Sequence, residues 1–225
     1  TGCDDDRVIP GAILDEDIGR AGDNAIIVAP GAAATLGPSD IEAAADLIAG
    51  AKIFMTQLEQ PMPAAHRALE IAREAGVTTL LNPAPAAGLP EGMLALCDWV
   101  TPNETEAEAL TGLPVASEAE ADVAATRLMA LGAGAAVITL GARGAYLATP
   151  DVRTLVPARP AGPVVETTGA GDAFNAGFAT ALARGAAPER AVEYGCAVAG
   201  LSVTRPGAAA SMPSAADVAA MLGGT

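Results

Sequence analysis

A glycine-rich string in the last third of the sequence carries the strongest chemical signal. Residues 166–177 read Glu-Thr-Thr-Gly-Ala-Gly-Asp-Ala-Phe-Asn-Ala-Gly, after a short apolar approach at 163–165. Glycines allow a tight turn and a close approach of backbone to ligand, and the pattern that follows is helical. The N–H groups of Ala170, Gly171 and Asp172 then point out of a helix N-terminus, which favours a bound anion.

Asp172 places a carboxylate inside that predicted anion site, where it would repel a phosphate. Accepting a proton from an attacking hydroxyl is a chemical reason for such a group. The alternative is a plain glycine turn with Asp172 as an early acid that stabilises the helix dipole. The whole string, followed by an amphipathic helix, favours the catalytic interpretation.

Two further strings follow predicted strands. Asn103 and Glu106 have the spacing of a capping box, so they could simply fix a helix start, although a polar pair beyond a strand end also suits a ligand site. Residues 139–144, Thr-Leu-Gly-Ala-Arg-Gly, join two strands, and a hairpin turn that needs glycine accounts for them locally.

The number and spacing of the histidine and cysteine residues restrict the kinds of site that the chain can form. His66 is the only histidine, which excludes a histidine-based triad and a multi-histidine metal site. Cys3, Cys97 and Cys196 are odd in number and widely spaced, which favours a reducing cytosol over a disulfide framework or a structural metal. The Cys-Asp-Asp-Asp run at 3–6 is interpreted as a solvated turn, with a metal site as the alternative.

Strands and helices alternate along the chain and would position these residues. We predict strands at 25–28, 53–56, 77–81, 99–101, 136–140 and 145–148, and helices at 38–49, 62–74, 103–110, 117–131, 171–184, 188–203 and 214–222. Buried strands separated by helices predict an α/β fold, a parallel sheet covered on both faces. Ligands bind such sheets beyond the carboxyl ends of the strands, where the strings above fall.

Local signals mark several helix ends. Ser39 is a candidate N-cap, and Ser117 with Glu120 has capping-box spacing. The glycines expected just past helix ends, in the left-handed conformation, are Gly76, Gly132 and Gly185. Residues 1–22 are polar and lack sustained periodicity, so they do not fit the alternating pattern.

Composition narrows the classes of partner. A chain of 225 residues with 51% hydrophobic content can bury a full core as one domain. A formal net charge of −15 argues against nucleic acid and membrane surfaces as partners, although local glycine turns can still hold a small anion. We identify no signal peptide and no apolar run long enough to span a bilayer.

Taken together, six strings resemble the ribokinase (PfkB-type) family of carbohydrate kinases. Besides 166–177, they are Gln-Leu-Glu at 57–59, Asn-Pro-Ala-Pro at 82–85, Thr-Pro-Asn-Glu-Thr-Glu-Ala-Glu at 101–108, Ile-Thr-Leu-Gly-Ala-Arg-Gly at 138–144 and Val-Thr-Arg-Pro-Gly-Ala at 203–208. The resemblance implies a ribokinase-like three-layer α/β/α fold with a mainly parallel sheet. It assigns residues 37–225 to the nucleotide-binding and catalytic domain and residues 1–36 to an irregular segment with remnants of a small β lid.

The resemblance implies ATP-dependent phosphorylation of a sugar primary hydroxyl, with ribose the best guess. Asp172 matches the catalytic base, and Ala170 and Gly171, after Gly169 in the same motif, match an anion hole for the transferring phosphoryl group. Glu59 matches a sugar contact. The alternatives are a kinase for another sugar or a nucleoside, or a nucleotide-binding paralogue without turnover.

Nucleotide and ion contacts are implied in the same way. Matches to nucleotide-binding positions are Asn103, Glu106, Thr139, Gly141, Gly144, Gly171 and Cys196, with Glu106 organising Mg²⁺ through water. Cys196 is also explained as a core residue, which we favour. Matches to oxygen donors around K⁺ are Glu166, Thr168, Ser202, Arg205, Gly207 and Ser211. Ribokinases usually have Asp at the position of Glu166, so this acid is a departure from the family pattern.

The family's sugar-clamping Gly-Gly-Lys-Gly-x-Asn string and an earlier Asp are not found among these 225 residues. The family's Pro-Gly-Ala-Asn also reads Pro-Gly-Ala-Ala at 30–33. We therefore expect this sequence to be the C-terminal part of a longer kinase and, alone, to phosphorylate no sugar efficiently. By resemblance we expect a cytoplasmic homodimer whose ligands are a sugar and ATP.

Overall fold

The computed structural model describes residues 31–223. The helices are α1 Pro38–Ala43, α2 Ala45–Ala49, α3 Met62–Glu74, α4 Glu104–Thr111, α5 Glu118–Ala130, α6 Ala170–Ala183, α7 Pro188–Ser202 and α8 Ala215–Met221. The strands are β1 Ile53–Thr56, β2 Thr78–Leu81, β3 Trp99–Val100, β4 Ala135–Thr139, β5 Gly144–Ala148 and β6 Arg153–Pro157. Short 3-10 helices cover Gly31–Thr35, Met93–Leu96, Gly141–Arg143 and Ala209–Ser211.

The six described strands form one sheet in the order β1-β2-β3-β4-β5-β6. Strands β1 to β4 are parallel, with Phe54 opposite Thr79 and Leu81 opposite Val100. Strands β5 and β6 continue the sheet as an antiparallel meander, with Ile138 opposite Tyr146. The sheet is thus mainly parallel, as predicted, and the loop at 139–144 joins an antiparallel pair.

Side chains that alternate along the buried strands divide the core into two layers. Leu81 and Ile138 face the side covered by α3, α4 and α5. Their neighbours Leu80 and Val137 face the opposite side, where Phe174 and Phe178 of α6 pack with α7. Trp99 contacts Phe178 edge to face, with ring centroids 5.1 Å apart. The predicted three-layer α/β/α arrangement is confirmed.

Every predicted element within the described residues agrees with the structure within one residue, except the helix predicted at 38–49. The helix predicted at 38–49 is two helices that break at Ala44. Ser39 is not an N-cap, because α1 begins at Pro38 after Gly37, and proline suits the first helical position. Strand β6 was missed, because Arg153 and Pro157 at its ends are typical of loops. The strand predicted at 25–28 and the run at 3–6 lie outside the described residues.

Capping explains where the confirmed helices begin and end. Ser117 accepts a hydrogen bond from Glu120 N, and the Glu120 carboxylate accepts one from Ser117 N. Gly76, Gly132 and Gly185 all have positive φ, as predicted. No helix in residues 31–223 combines the length and the apolar character that crossing a membrane requires.

Candidate active site

The N-terminus of α6 is left without a side-chain cap. Gly169, in the left-handed conformation at φ 77°, turns the chain into the helix, and as a glycine it has no side chain with which to cap the helix. Within residues 31–223, no acceptor lies in hydrogen-bond geometry to the N–H of Gly171 or Asp172. The prediction was too broad at Ala170, because its N–H donates to Thr167 O at 3.1 Å. Two exposed amide donors remain beside the Asp172 carboxylate.

Asp172 is exposed, and its Oδ1 accepts a hydrogen bond from Gln57 Nε2 at 2.8 Å. Gln57 comes directly after β1, so the contact joins the carboxyl edge of the sheet to the start of α6. Both side chains border a cavity of about 610 Å³, which Asn175 also lines. Asn175 is 3% exposed, and its Oδ1 has no hydrogen-bond partner among the described residues. The cavity is therefore bordered by an exposed carboxylate and by a buried amide whose oxygen is unpaired among the described residues.

Glu59, the predicted sugar contact, lies two residues beyond Gln57 in the same loop and is exposed. The loop is anchored by Leu58 N, which donates to Ala84 O at 2.8 Å, and by Gln60 Nε2, which donates to Gln57 O at 2.7 Å. The side chain of Glu59 is thus available to a ligand, and its contact with sugar stays a prediction.

A second loop, at residues 203–211, packs against the loop that leads into α6. Val165 N donates to Val203 O at 2.8 Å, and Gly207 N donates to Glu166 Oε2 at 2.7 Å. The hydrogen bonds from Gly207 N and from the Thr168 hydroxyl lower the pKa of Glu166 below its ordinary value. Glu166 is therefore ionised at neutral pH and ties the two loops together.

The remaining predicted K⁺ residues lie in this second loop or, in the case of Ser202, directly before it. Ser202 and Ser211 are buried, and their hydroxyls donate to Ala199 O and Ala208 O. The Arg205 guanidinium faces Asp217 Oδ2 at 3.4 Å. Because a guanidinium is cationic and has no acceptor atom, Arg205 could ligate a cation only through its backbone oxygen. Carboxylate, hydroxyl and carbonyl oxygens dominate the paired loops, a donor set that fits a hard monovalent cation. Cation binding there stays a prediction.

The N-terminus of α4 is closed by a reciprocal capping box. Asn103 Oδ1 accepts from Glu106 N at 2.9 Å, and Glu106 Oε2 accepts from Asn103 N at 2.8 Å. Glu106 is 8% exposed, and burial raises the pKa of its carboxyl group, partly offset by the hydrogen bond from Asn103. The structural interpretation of this pair is confirmed, and its nucleotide and Mg²⁺ roles stay predictions.

A single acid at this position is compatible with Mg²⁺, which commonly keeps several waters and takes few carboxylates. Glu106 Oε1 makes no hydrogen bond within the described residues, so it is the oxygen that could face a metal-bound water. No group of three or more His, Cys, Asp or Glu side chains in residues 31–223 forms a potential metal cage. The donor set therefore suits a metal held mainly by water and phosphate oxygens.

The loop between β4 and β5 lies beside this capping box. Thr139 bridges to Asn103, with Thr139 N donating to Pro102 O at 2.9 Å. Arg143 donates to Glu104 Oε1 and to Ala116 O, both at 2.7 Å, and so fixes the loop to α4. Asn103 and Thr139 are thus brought together, as the predicted nucleotide site requires.

The two glycines of this loop have different structural reasons. Gly141 has φ 54° and open space around it, whereas Gly144 has φ 111° and contacts β6. A Cβ on Gly144 would lie 2.1 Å from Val156 O, so the antiparallel pair requires glycine there.

Cys196 packs with Phe174 and Phe178, and burial raises the pKa of its thiol to about 11. The core interpretation of Cys196 is confirmed, while nucleotide contacts of Gly141, Gly144 and Cys196 stay predictions.

Sequence reasoning missed the roles of Gln57 and Asn82. Both belong to strings that resemble the family, yet neither was assigned a function. Asn82 is 7% exposed, accepts from Gln57 Nε2 at 3.1 Å and donates to Thr101 O at 2.9 Å. A buried amide directly after a strand end was the available signal, because such a group needs hydrogen-bond partners.

Comparison with known proteins gives the same family. The model of the pfkB family carbohydrate kinases matches residues 16–215. Ribokinase of Haemophilus influenzae is 38% identical over 197 residues, which cover 88% of this chain and 64% of that protein. Deoxyribokinase of Salmonella typhi is 36% identical over 192 residues, covering 85% of this chain and 62% of that protein.

A solved structure of Arabidopsis thaliana ribokinase complexed with ribose and ATP superimposes with a TM-score of 0.84. It is 30% identical, and the match covers 92% of this chain and 67% of that one. The chain spans less than two thirds of the length of the two curated relatives described above. Because the family match covers most of the sequence, and the fold agrees with it, the chain belongs to the pfkB family of carbohydrate kinases.

Proposed function

We propose that the protein carrying this chain transfers the γ-phosphoryl group of ATP to the primary hydroxyl of a sugar. The observation that carries the proposal is the Asp172 carboxylate beside two amide donors, those of Gly171 and Asp172, that have no acceptor among residues 31–223. A base and an anion site in one turn of backbone are what phosphoryl transfer to an alcohol requires.

In the proposed reaction, Asp172 accepts the hydroxyl proton as the sugar oxygen attacks the γ-phosphorus. The new oxygen–phosphorus bond forms as the bond to the β–γ bridging oxygen breaks, and ADP leaves with that electron pair. Negative charge on the transferring group faces the N–H groups of Gly171 and Asp172, and Gly169 sets the turn that aims them. Ala170 contributes to the same turn through its bond to Thr167 O.

The nucleotide is proposed to lie along the carboxyl edge of β3 and β4. Asn103 and Thr139 are neighbours there, with Gly141 in an open turn beside them. Mg²⁺, when bound with ATP, would neutralise phosphate charge, and Glu106 is the residue proposed to hold one of its waters. The paired loops around Glu166 and Gly207 are proposed to hold K⁺.

Ribose is the proposed acceptor, with 2-deoxyribose as the second candidate. Ribose is favoured because several curated ribokinases match this chain, including those of Haemophilus influenzae and Staphylococcus aureus. The deoxyribokinase of Salmonella typhi is 36% identical, which supports the alternative. We also propose that the protein is cytoplasmic and forms a homodimer. Light scattering of the purified protein would test the oligomeric state.

A substrate panel tests the function. ADP release by the full-length protein that carries this chain is measured with ribose, 2-deoxyribose, hexoses and nucleosides under saturating ATP and Mg²⁺, and the product is identified by phosphorus–proton coupling. The expected result is saturable turnover with ribose and a phosphate coupled to the C5 methylene protons. Preference for 2-deoxyribose would replace the substrate and keep the chemistry. ATP binding without turnover on any acceptor would contradict the proposed activity.

A further inference from the structure

Four groups, one backbone carbonyl and three side chains, are joined by three hydrogen bonds in a line along the carboxyl edge of the sheet. The line starts at the carbonyl of Thr101 after β3, passes through the amide of Asn82 after β2, and continues through the amide of Gln57 after β1. It ends on Asp172 Oδ1 at the start of α6. The separations are 2.9, 3.1 and 2.8 Å, all within hydrogen-bond range.

The chemistry of the two ends fixes the orientation of both amides. A backbone carbonyl only accepts, so Asn82 must turn its NH₂ group toward Thr101 and its oxygen toward Gln57. Gln57 must then present its own NH₂ group to Asn82 Oδ1, and the second hydrogen of that group is left for Asp172. Flipping either amide would set oxygen against oxygen or leave NH₂ facing NH₂, so one direction of donation is favoured throughout.

Burial makes the line rigid where it is anchored. Thr101 is 1% exposed and Asn82 is 7% exposed, so an unpaired amide at this position would cost its desolvation free energy. The backbone of Gln57 is held by Gln60, whose side chain donates to Gln57 O. The side-chain amide of Gln57, which donates to Asp172, is therefore held in place by buried residues at the strand ends.

We infer that Gln57, oriented by Asn82, is a positioning residue that fixes the rotamer of the Asp172 carboxylate. Donation to Oδ1 occupies one carboxylate oxygen and leaves Oδ2 as the oxygen that would accept the proton of the sugar hydroxyl in the proposed reaction. This inference rests on the proposed function, because it gives Asp172 the role of proton acceptor. Displacing a reacting group by about 1 Å costs on the order of 100-fold in rate.

A double-mutant cycle tests the inference. Gln57→Met keeps the length of the side chain and removes the donor, and Asn82→Leu removes the group that orients Gln57. Each single change is expected to lower kcat about 10- to 100-fold, with the KM for ATP nearly unchanged. In an Asp172→Asn background, Gln57→Met should give no further loss, because the carboxylate that it positions is already absent.

Thr79→Val is the matched control for buried polar loss. Thr79 is fully buried on β2, the strand that leads to Asn82. Its hydroxyl donates to Leu96 O, away from the proposed active site. It should lower the melting temperature and leave kcat per folded molecule within about twofold of the parent, a separation typical of independent sites. Melting curves of every variant show whether it folds, and rates are expressed per folded molecule.

The outcomes separate the inference from the function beneath it. If Asp172→Asn itself retains the parent's turnover, Asp172 is not the base. Gln57 then has no proton acceptor to position, and the inference falls together with the assignment of the base. If Asp172→Asn strongly lowers turnover but Gln57→Met lowers kcat by the same factor in both backgrounds, Gln57 acts independently of Asp172. That additive result would overturn the positioning role, as would a parent-like kcat for folded Gln57→Met.

Discussion

Two helices that begin at the carboxyl edge of the sheet, α4 and α6, differ in whether their first backbone N–H groups have hydrogen-bond acceptors. At α4, Asn103 and Glu106 satisfy the backbone donors reciprocally. At α6, Gly169 turns the chain without a capping side chain, and the amides of Gly171 and Asp172 remain without acceptors in residues 31–223. A closed start stabilises its own helix, whereas an open start keeps its donors for a ligand and gives up that stabilisation. The open start is where the reacting phosphoryl group is proposed to bind.

Removing the base from the open start should have the largest effect. Asp172→Asn keeps the size of the side chain and removes the proton acceptor, so turnover should fall on the order of 10²- to 10⁴-fold. ATP affinity, measured by calorimetry, should stay close to that of the parent. A turnover within a factor of a few of the parent's would rule out Asp172 as the base.

Changing the glycine that opens α6 should come next. Gly169→Ala forces a left-handed alanine and places its Cβ 3.3 Å from Ala208 Cβ, which should displace the amide donors. Kcat should fall about 100-fold, and stability should drop by about 1–2 kcal/mol.

Gly185→Ala is its matched control at the other end of the helix. Gly185 has φ 82° with open space around it, so the strain is similar but the active site is untouched. Urea unfolding should show a comparable loss of stability, while kcat should stay near the parent's. Equal losses of kcat in both variants would mean that strain alone, and not the aim of the donors, explains the result.

The closed start offers a change that separates capping from catalysis. Glu106→Gln still satisfies the capping box, because glutamine serves equally at that position. Kcat should nevertheless fall about tenfold if Glu106 organises a metal-bound water, with a higher Mg²⁺ requirement. Glu108→Gln, which changes an exposed acid on the same helix, should leave the Mg²⁺ dependence unchanged. An unchanged Mg²⁺ dependence for Glu106→Gln would restrict Glu106 to its cap.

The same variant gives a pH test. Burial raises the pKa of Glu106 in the folded state above its ordinary value of 4.5, so the folded protein holds this proton more tightly than the unfolded chain. The stability that this group contributes is complete below pH 4.5 and is lost as pH rises through the folded pKa. Relative to Glu106→Gln, the parent should therefore lose stability as pH rises through this window. Parallel melting temperatures across it would contradict the burial effect.

The smallest expected effect concerns the loops that lead into α6. Replacing Na⁺ by K⁺ at constant ionic strength should raise kcat a few-fold, because oxygens of the paired loops would hold the ion and steady the open helix start. Glu166→Asp should change this ratio while ATP affinity stays the same. Equal rates of the parent in both salts would argue that the Glu166–Gly207 contact replaces a cation.

Sequence reasoning predicted what local chemistry decides. The capping boxes at Asn103 and Ser117 and the string into α6 depend on neighbours within four residues, so their types and spacing were sufficient. Strand β6 was missed because Arg153 and Pro157 at its ends are typical of loops as well as of edge strands. The line from Thr101 to Asp172 was missed because its partners are 19, 25 and 115 residues apart. Only the fold brings them together.

Amide chemical shifts of the isotope-labelled protein test most directly which helix start faces the transferring group. Spectra are recorded in the presence of ADP, Mg²⁺ and sugar, before and after the addition of aluminium fluoride. Aluminium fluoride mimics the phosphoryl group in the transition state of its transfer. The N–H resonances of Gly171 and Asp172 should move downfield on addition of the fluoride, as expected for amides that gain an anionic acceptor, while that of Glu106, already satisfied by Asn103, should hardly move. Unchanged resonances at Gly171 and Asp172, with a fluoride-dependent shift confined to α4, would contradict the proposed site.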